Sequence, residues 1–126
     1  MSKQLLREGD AGDKKPTAIG KGITASLGPE PPRYTGIALV AKSPKATSDI
    51  TDRHILVVKE TSPDYMFAME RALAIVTQVG GITSHAAITA RQLRKPAVVG
   101  VEKLMKNVTN GEKIIIDVST GIVYAS

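Results

Sequence analysis

The sequence predicts an α/β domain with a largely parallel sheet and some antiparallel additions. Three observations carry this expectation. Short apolar runs rich in β-branched residues recur along the chain: "TGIALVA" (35–41), "HILVVK" (54–59), "AIVT" (74–77) and "PAVVGV" (96–101). Their lengths suit buried strands. Two helix-length segments lie among them, and strands alternating with helices give a parallel sheet. The last sixteen residues, "GEKIIIDVSTGIVYAS", read as two strands across the turn "STG", a terminal hairpin.

Taken in order, residues 1–21 are polar and broken by Gly9, Gly12, Pro16 and Gly20, so a flexible linker or tail is expected there. The folded domain is then expected over 22–126. "GPEPPRY" (28–34) concentrates three prolines and forces an extended loop ahead of the strands at 35–41 and 54–59. "SPDYMFAMERAL" (62–73) opens with Ser62 as an N-cap and Pro63 at the first helical position. Met66, Met69, Ala72 and Leu73 follow at helical spacing, which predicts an amphipathic helix with its methionines in the core. The strand at 74–77 leads into a glycine-rich turn and a second helix, roughly Ser84 to Leu93. "PAVVGV" is the next strand, and Asn110-Gly111 turns the chain into the hairpin.

Composition narrows the function. The chain has 126 residues, enough for one domain with a real core, and 42% of them are apolar. It contains no cysteine, which excludes disulfides, zinc–thiolate sites and cysteine nucleophiles. No run approaches ~18 consecutive apolar residues, so no membrane span is expected. "MSKQLLREGDAGDKKP" lacks the apolar region of a signal peptide. A cytoplasmic protein is the expectation. The net charge is +5, but the basic residues are scattered and only 3% of residues are aromatic, so nucleic-acid binding is not expected.

The density of chemistry is highest in "GGITSHAAITARQLRKPAVVG" (80–100). Gly80-Gly81 lets the backbone turn sharply and uncovers amides. Thr83 or Ser84 can cap the helix, whose first-turn N–H groups point outward without partners. Such a terminus favours an anion by roughly 0.3–1 kcal/mol. His85 lies where that field is strongest. The same field disfavours an imidazolium, keeping the ring in its neutral, nucleophilic form. A phosphoryl group on His85 would be met by the amides and by the Thr83 and Ser84 hydroxyls. No metal site is expected: His54 is the only other histidine, and nothing has helical ligand spacing. His54, which begins a strand, is read as structural. Arg91 lies about 240° round the helix from His85 and is read as a structural pair or docking contact.

This 21-residue stretch resembles the phosphohistidine signature of the phosphoenolpyruvate-utilising enzymes, which include pyruvate phosphate dikinase, phosphoenolpyruvate synthase and enzyme I of the sugar phosphotransferase system. "ILVVKETSPDYMFAMERALAIVT" and "NGEKIIIDVSTGIVY" resemble the segments before and after it, so the likeness spans roughly 22–126. At the front the pattern departs: Leu27 stands where proline is usual. The resemblance implies a swivelling β/β/α three-layer domain in which His85 carries a phosphoryl group. Gly81, Thr83 and Ser84 would form the phosphate cradle. Thr83 also matches a threonine that is a regulatory phosphorylation target in some dikinases, and it equally suits a helix cap.

The family implies two partner domains, in the same enzyme or on a partner chain. One is a nucleotide-binding, ATP-grasp-like domain; the other is a TIM barrel that exchanges the group with pyruvate or phosphoenolpyruvate. ATP and Mg²⁺ are expected there and no cofactor on this domain, so the chain alone is not expected to turn over substrate. The alternative is a non-catalytic regulatory module, as appended to some pyruvate kinases. A third branch transfers the group to an antibiotic.

Overall fold

The structure is a computed structural model that describes residues 16–29 and 32–126. In chain order its strands are β1 (Thr17–Lys21), β2 (Ile23–Ser26), β3 (Arg33–Ala41), β4 (His54–Val58), β5 (Ala74–Thr77), β6 (Ala97–Val99), β7 (Lys113–Asp117) and β8 (Ile122–Ala125). Three helices are interspersed: α1 (Met66–Arg71) before β5, α2 (His85–Leu93) before β6, and α3 (Leu104–Asn107) before β7. All eight strands form one sheet in the order β1-β8-β7-β3-β4-β5-β6-β2. The run from β3 to β6 is parallel; every other pair is antiparallel.

Period-two alternation divides the core between two faces. Leu56 and Val58 of β4 point with Ile75 and Val99 toward Met69 of α1 and toward Ala86, Ala87 and Ala90 of α2. Ile55 and Val57 point the other way, to Ile114 and Ile116 of β7, Val123 of β8 and Leu104 of α3. The central parallel strands therefore have α1 and α2 on one side, and the antiparallel strands with α3 on the other. This is the expected β/β/α arrangement.

The expected linker does not extend to residue 21. Residues 1–15 lie outside the described residues, but Thr17–Lys21 is a strand paired with β8. Gly20 and Gly22, which resemble linker punctuation in the sequence, allow close approach instead. A Cβ on Gly20 would lie 2.8 Å from Val101 Cγ1, and one on Gly22 would lie 2.4 Å from the Val99 carbonyl oxygen. Gly22 alone separates β1 from β2, so the two outermost strands of the sheet are consecutive in the chain. Gly22 N–H donates to the Gly121 carbonyl at 2.9 Å, and Thr24 Oγ1 donates to the Val118 carbonyl at 2.8 Å. These bonds close the sheet across its two edges and leave little unpaired edge for association.

The helix expected over 62–73 is shorter than its apolar spacing suggests. Pro63–Tyr65 forms a 3-10 turn, α1 ends at Arg71, and Ala72 is already extended. Leu73 N–H donates to the His54 carbonyl, so the chain is drawn into β5 after two helical turns. Among the described residues no helix is long and apolar enough to cross a membrane.

Candidate functional site

Parallel strands place their carboxyl ends together, and the residues following β4 and β5 meet there. After Thr77 the amide of Val79 donates back to the Lys59 carbonyl at 2.8 Å, while Thr77 Oγ1 donates to the Val79 carbonyl at 2.9 Å. Gly80 then takes φ +123°, where an added Cβ would meet Ser84 Cβ and Oγ at 3.0 Å. Gly100, after β6, backs the same turn: its Cβ would come within 2.8 Å of the Gly80 carbonyl oxygen. Two glycines that follow neighbouring strands thus let the turn sit tightly over the sheet.

Ser84 is the N-cap of α2. Its hydroxyl donates to the Gly81 carbonyl at 2.7 Å and accepts from Ala87 N–H at 3.3 Å. The first intrahelical bond runs from Ile88 N–H to the Ser84 carbonyl. The amides of His85 and Ala86 have no hydrogen-bond partner among the described residues. They are the open donors expected of a helix start, and the helix dipole adds its positive end. At the far end Arg94 adopts a left-handed conformation, Lys95 N–H donates to the Ala90 carbonyl, and Pro96 follows.

His85 is half-buried at this mouth. Its Nδ1 lies 2.8 Å from Thr61 Oγ1, in the loop after β4. Its Nε2 has only a long contact, 3.4 Å, to Thr89 Oγ1 one helical turn on. One ring nitrogen is held firmly and the other loosely. A neutral ring that donates Nδ1–H to Thr61 keeps its lone pair on Nε2, the orienting arrangement used wherever a histidine must act through one chosen nitrogen.

The residues singled out in the sequence fall together here with distinct tasks. Gly81 contributes its carbonyl as anchor for the cap; a Cβ there would meet nothing within 4 Å, so Gly80 and not Gly81 is the sterically required glycine. The Ser84 hydroxyl is committed to capping. The Thr83 side chain is exposed, and its hydroxyl has no partner among the described residues. Arg91 is a clasp: its guanidinium donates to the Ile82 carbonyl at 2.7 Å and the Ala25 carbonyl at 3.3 Å, tying the site loop to β2. His54 accepts Thr51 N–H on Nδ1 at 2.9 Å and closes a turn away from this site. Among the described residues no group of three or more histidine or acidic side chains converges as a metal site would.

Two contacts were not legible in the sequence. Thr89 stands four residues beyond His85, a spacing that puts both on one helical face, yet a threonine there reads as ordinary helix. Thr61 is 24 residues away and reaches His85 only because β4 and β5 pair in parallel. Val79, Ile82 and Ile88 expose apolar side chains in the site loop and on α2, a grouping that suits docking.

The chain is similar to known proteins in sequence and in fold. Residues 50–121 match the sequence model of the family described as "PEP-utilising enzyme, mobile domain". A probable phosphoenolpyruvate synthase of Archaeoglobus fulgidus is 43% identical over 107 residues, covering 85% of this chain and 14% of that protein. The phosphoenolpyruvate synthase of Pyrococcus furiosus is 36% identical over 120 residues, 95% of this chain and 15% of the relative. A pyruvate kinase of Bacillus licheniformis is 35% identical over 88 residues, 70% and 15% respectively. The chain thus spans only a small fraction, 14–15%, of the length of these relatives. Among solved structures, an Enzyme I protein (nEIt) superposes with a TM-score of 0.54 at 35% identity, over 64% of this chain and 33% of that one. Aconitase X of Thermococcus kodakaraensis superposes at 0.58 with 19% identity, over 85% and 97%, a likeness of fold alone.

Proposed function

Since this chain belongs to the PEP-utilising enzyme mobile-domain family, we propose that it is the phosphocarrier of a phosphotransferase of the dikinase or synthase type. His85 shuttles a phosphoryl group between a nucleotide site and a pyruvate/phosphoenolpyruvate site on other domains. The observation that carries this reading is the unequal treatment of the ring: Nδ1 is fixed on Thr61 at 2.8 Å, and Nε2 is loosely held at a helix mouth with open amides.

In the forward step the Nε2 lone pair attacks phosphorus in line with the donor oxygen. The Nε2–P bond forms, the donor P–O bond breaks, and its electron pair leaves with the donor oxygen. The ring keeps its Nδ1 proton, shared with Thr61 Oγ1, so the positive charge that develops on the imidazole is stabilised where it arises. The open amides of His85 and Ala86 and the exposed Thr83 hydroxyl are the donors proposed to receive the phosphoryl oxygens. Reversal at the second site restores the neutral ring. The nucleotide, Mg²⁺ and the acceptor belong to the ATP-grasp-like and TIM-barrel partner domains, and the apolar side chains of Ile82 and Ile88 suit docking against them.

Intact-mass measurement tests the reading. With the partner domains, Mg²⁺ and ATP or phosphoenolpyruvate, the chain gains one phosphoryl group, acid-labile and alkali-stable as an N-phosphoimidazole should be. The chain alone gains none. Label that persists in His85→Asn, or none in the unaltered chain with its partner domains, would falsify the carrier reading. The likeness to a pyruvate kinase favours a regulatory module as the second reading; it predicts no label under any of these conditions.

A further inference from the structure

Thr61 lines a cleft whose other groups take no part in transfer at His85. It opens at the carboxyl ends of β3 and β4, the end of a parallel sheet where ligands bind, and has a volume of about 530 Å³. Ala41, Met105 and the ring of Tyr65 give it apolar surface, and Lys42 and Lys59 give it two ammonium groups. Glu60 is the one acid in the lining, so the balance is one net positive charge (two lysines less one glutamate). Among the described residues neither ammonium has an ion-pair partner.

Tyr65 supplies the independent sign of a ligand. It is only 8% exposed, yet its hydroxyl has no hydrogen-bond partner among the described residues. Buried tyrosines usually pair theirs, and here the hydroxyl lies at the cleft, available to a ligand. Burial pushes its phenol above the ordinary value, which keeps it a hydrogen-bond donor. Gln78, also in the lining, accepts Met105 N–H on Oε1 and leaves its amide N–H groups for a ligand. Apart from Glu60, the uncommitted polar groups of the lining are two ammoniums, the Gln78 N–H groups and the Tyr65 and Ser62 hydroxyls, all able to donate, so with the net positive charge the complementary ligand is an anion.

We propose that this cleft binds a small organic carboxylate, held by Lys42, Lys59 and the Tyr65 hydroxyl with its apolar body on Ala41 and Met105, and that Thr61 relays its presence to His85. A phosphate fits less well. Phosphates are best held by an arginine fork or an array of backbone amides; the lining has no arginine, and the adjacent turn begins with Pro63, which has no N–H. The relay follows from hydrogen-bond roles and rests on the carrier reading of Nε2. When Thr61 Oγ1 accepts Nδ1–H, its own O–H is free to donate toward the cleft. A carboxylate accepting that proton makes Oγ1 a better acceptor and raises electron density at Nε2, as outer partners do for other functional histidines.

Titrations of the isotopically labelled chain test this, with butyrate as the carboxylate, inorganic phosphate as the bare anion and 1-butanol as the uncharged body. Butyrate should shift the Tyr65 ring signals and the His85 ring nitrogens saturably. Phosphate and butanol should bind there at least about tenfold more weakly, the loss of one charge-assisted contact. Lys42→Gln/Lys59→Gln and Tyr65→Phe should each weaken butyrate by about tenfold or more, with amide signals elsewhere unchanged. In Thr61→Val, butyrate should still shift Tyr65 but no longer His85. Absence of saturable shifts, equal binding of phosphate, or indifference to the lysine substitutions overturns the site. A His85 response surviving Thr61→Val overturns the relay. No transfer is involved, so a chain that binds butyrate but cannot be labelled loses the carrier reading and keeps the cleft.

Discussion

At the hairpin between β7 and β8, polar groups are committed to one another; at the mouth of α2 they are left exchangeable. Asp117 is 4% exposed. Its carboxylate accepts Arg33 Nε at 2.9 Å, Ser119 N–H at 2.9 Å and the Ser119 hydroxyl. Its carbonyl accepts Gly121 N–H at 2.7 Å. The other end offers the amides of His85 and Ala86 and the Thr83 hydroxyl, all open among the described residues, and a half-buried imidazole with one loose nitrogen. A buried turn must satisfy every polar group or lose stability. A site that receives and surrenders a charged group must leave donors unmatched until it arrives. The two ends should therefore answer to different measurements, one to unfolding and the other to labelling.

The sharpest separation comes from His85→Asn. Labelling should vanish entirely, while stability should stay within about 0.5 kcal/mol because the side chain is partly exposed and packs into neither core. Loss of cooperative unfolding in this variant would show that the helix mouth is structural after all.

Next in size is Gly121→Val, which acts only at the other end. Gly121 holds φ +77°, and a Cβ there would lie 2.5 Å from the Gly22 carbonyl oxygen. Backbone strain and a backbone clash together should cost about 3 kcal/mol or more. Denaturant melts measure the loss. At temperatures where the variant stays folded, its labelling by the partner domains should proceed at the normal rate.

Asp117→Asn should cost about 1–3 kcal/mol near neutral pH, since it weakens a charged acceptor while leaving its donors in place. Ser119, followed by Arg33, holds the Asp117 carboxyl below the ordinary carboxylate value. A lowered folded-state value means that the stabilisation is fully present above the unfolded value of about 3.9 and is lost as pH falls through the folded one. Urea melts of the two proteins should diverge above about pH 4 and converge in stronger acid. A difference unchanged across that range would place the effect in packing rather than charge.

The same contrast explains what could be read in advance. β5 was legible to its last residue because Ala74–Thr77 is a wholly buried run bounded by a helix end and a glycine turn. α2 was legible because Ser84 caps it and Pro96 follows its end. β1 was not: Thr17–Lys21 carries one core-packed residue, Ile19, and its glycine reads as flexibility when its use is close approach to Val101. In the site the sequence shows the local loop and misses the contact that orients it. Thr61 meets His85 through strand pairing, and no spacing encodes that. The hairpin end was half visible: "STG" marks the turn, but nothing local reveals that Arg33 will reach Asp117.

That long-range contact predicts the next effect. Thr61→Val keeps the shape and removes the hydroxyl on Nδ1, so either nitrogen can carry the proton. Phosphorylation of His85 should slow about tenfold, or 1.4 kcal/mol in the barrier. Thr61→Ser should restore most of the rate. Ring-nitrogen spectra should show a mixed tautomer in the valine variant and Nδ1–H in the parent. A slow rate with an unchanged tautomer would mean that Thr61 acts by packing.

The smallest effect is expected at Thr83, and it separates the two ends most finely. Its side chain is exposed and bonds to nothing described, so Thr83→Val should change stability by less than about 0.5 kcal/mol. The Ser84 cap, which holds the helix start, is untouched. Only the phosphorylated state would notice the change, through loss of one hydroxyl donor to a phosphoryl oxygen. In an exposed position that loss belongs at the low end of hydrogen-bond values, about 0.5 kcal/mol, a slowing of two- to threefold. Thr83→Ser should label at the parental rate. A valine variant that labels as fast as the parent would remove Thr83 from the cradle and leave its exposed hydroxyl to modification alone, the regulatory role that the family resemblance implies. A variant that loses stability instead would make Thr83 a second cap, and the helix mouth would then resemble the hairpin more than the site.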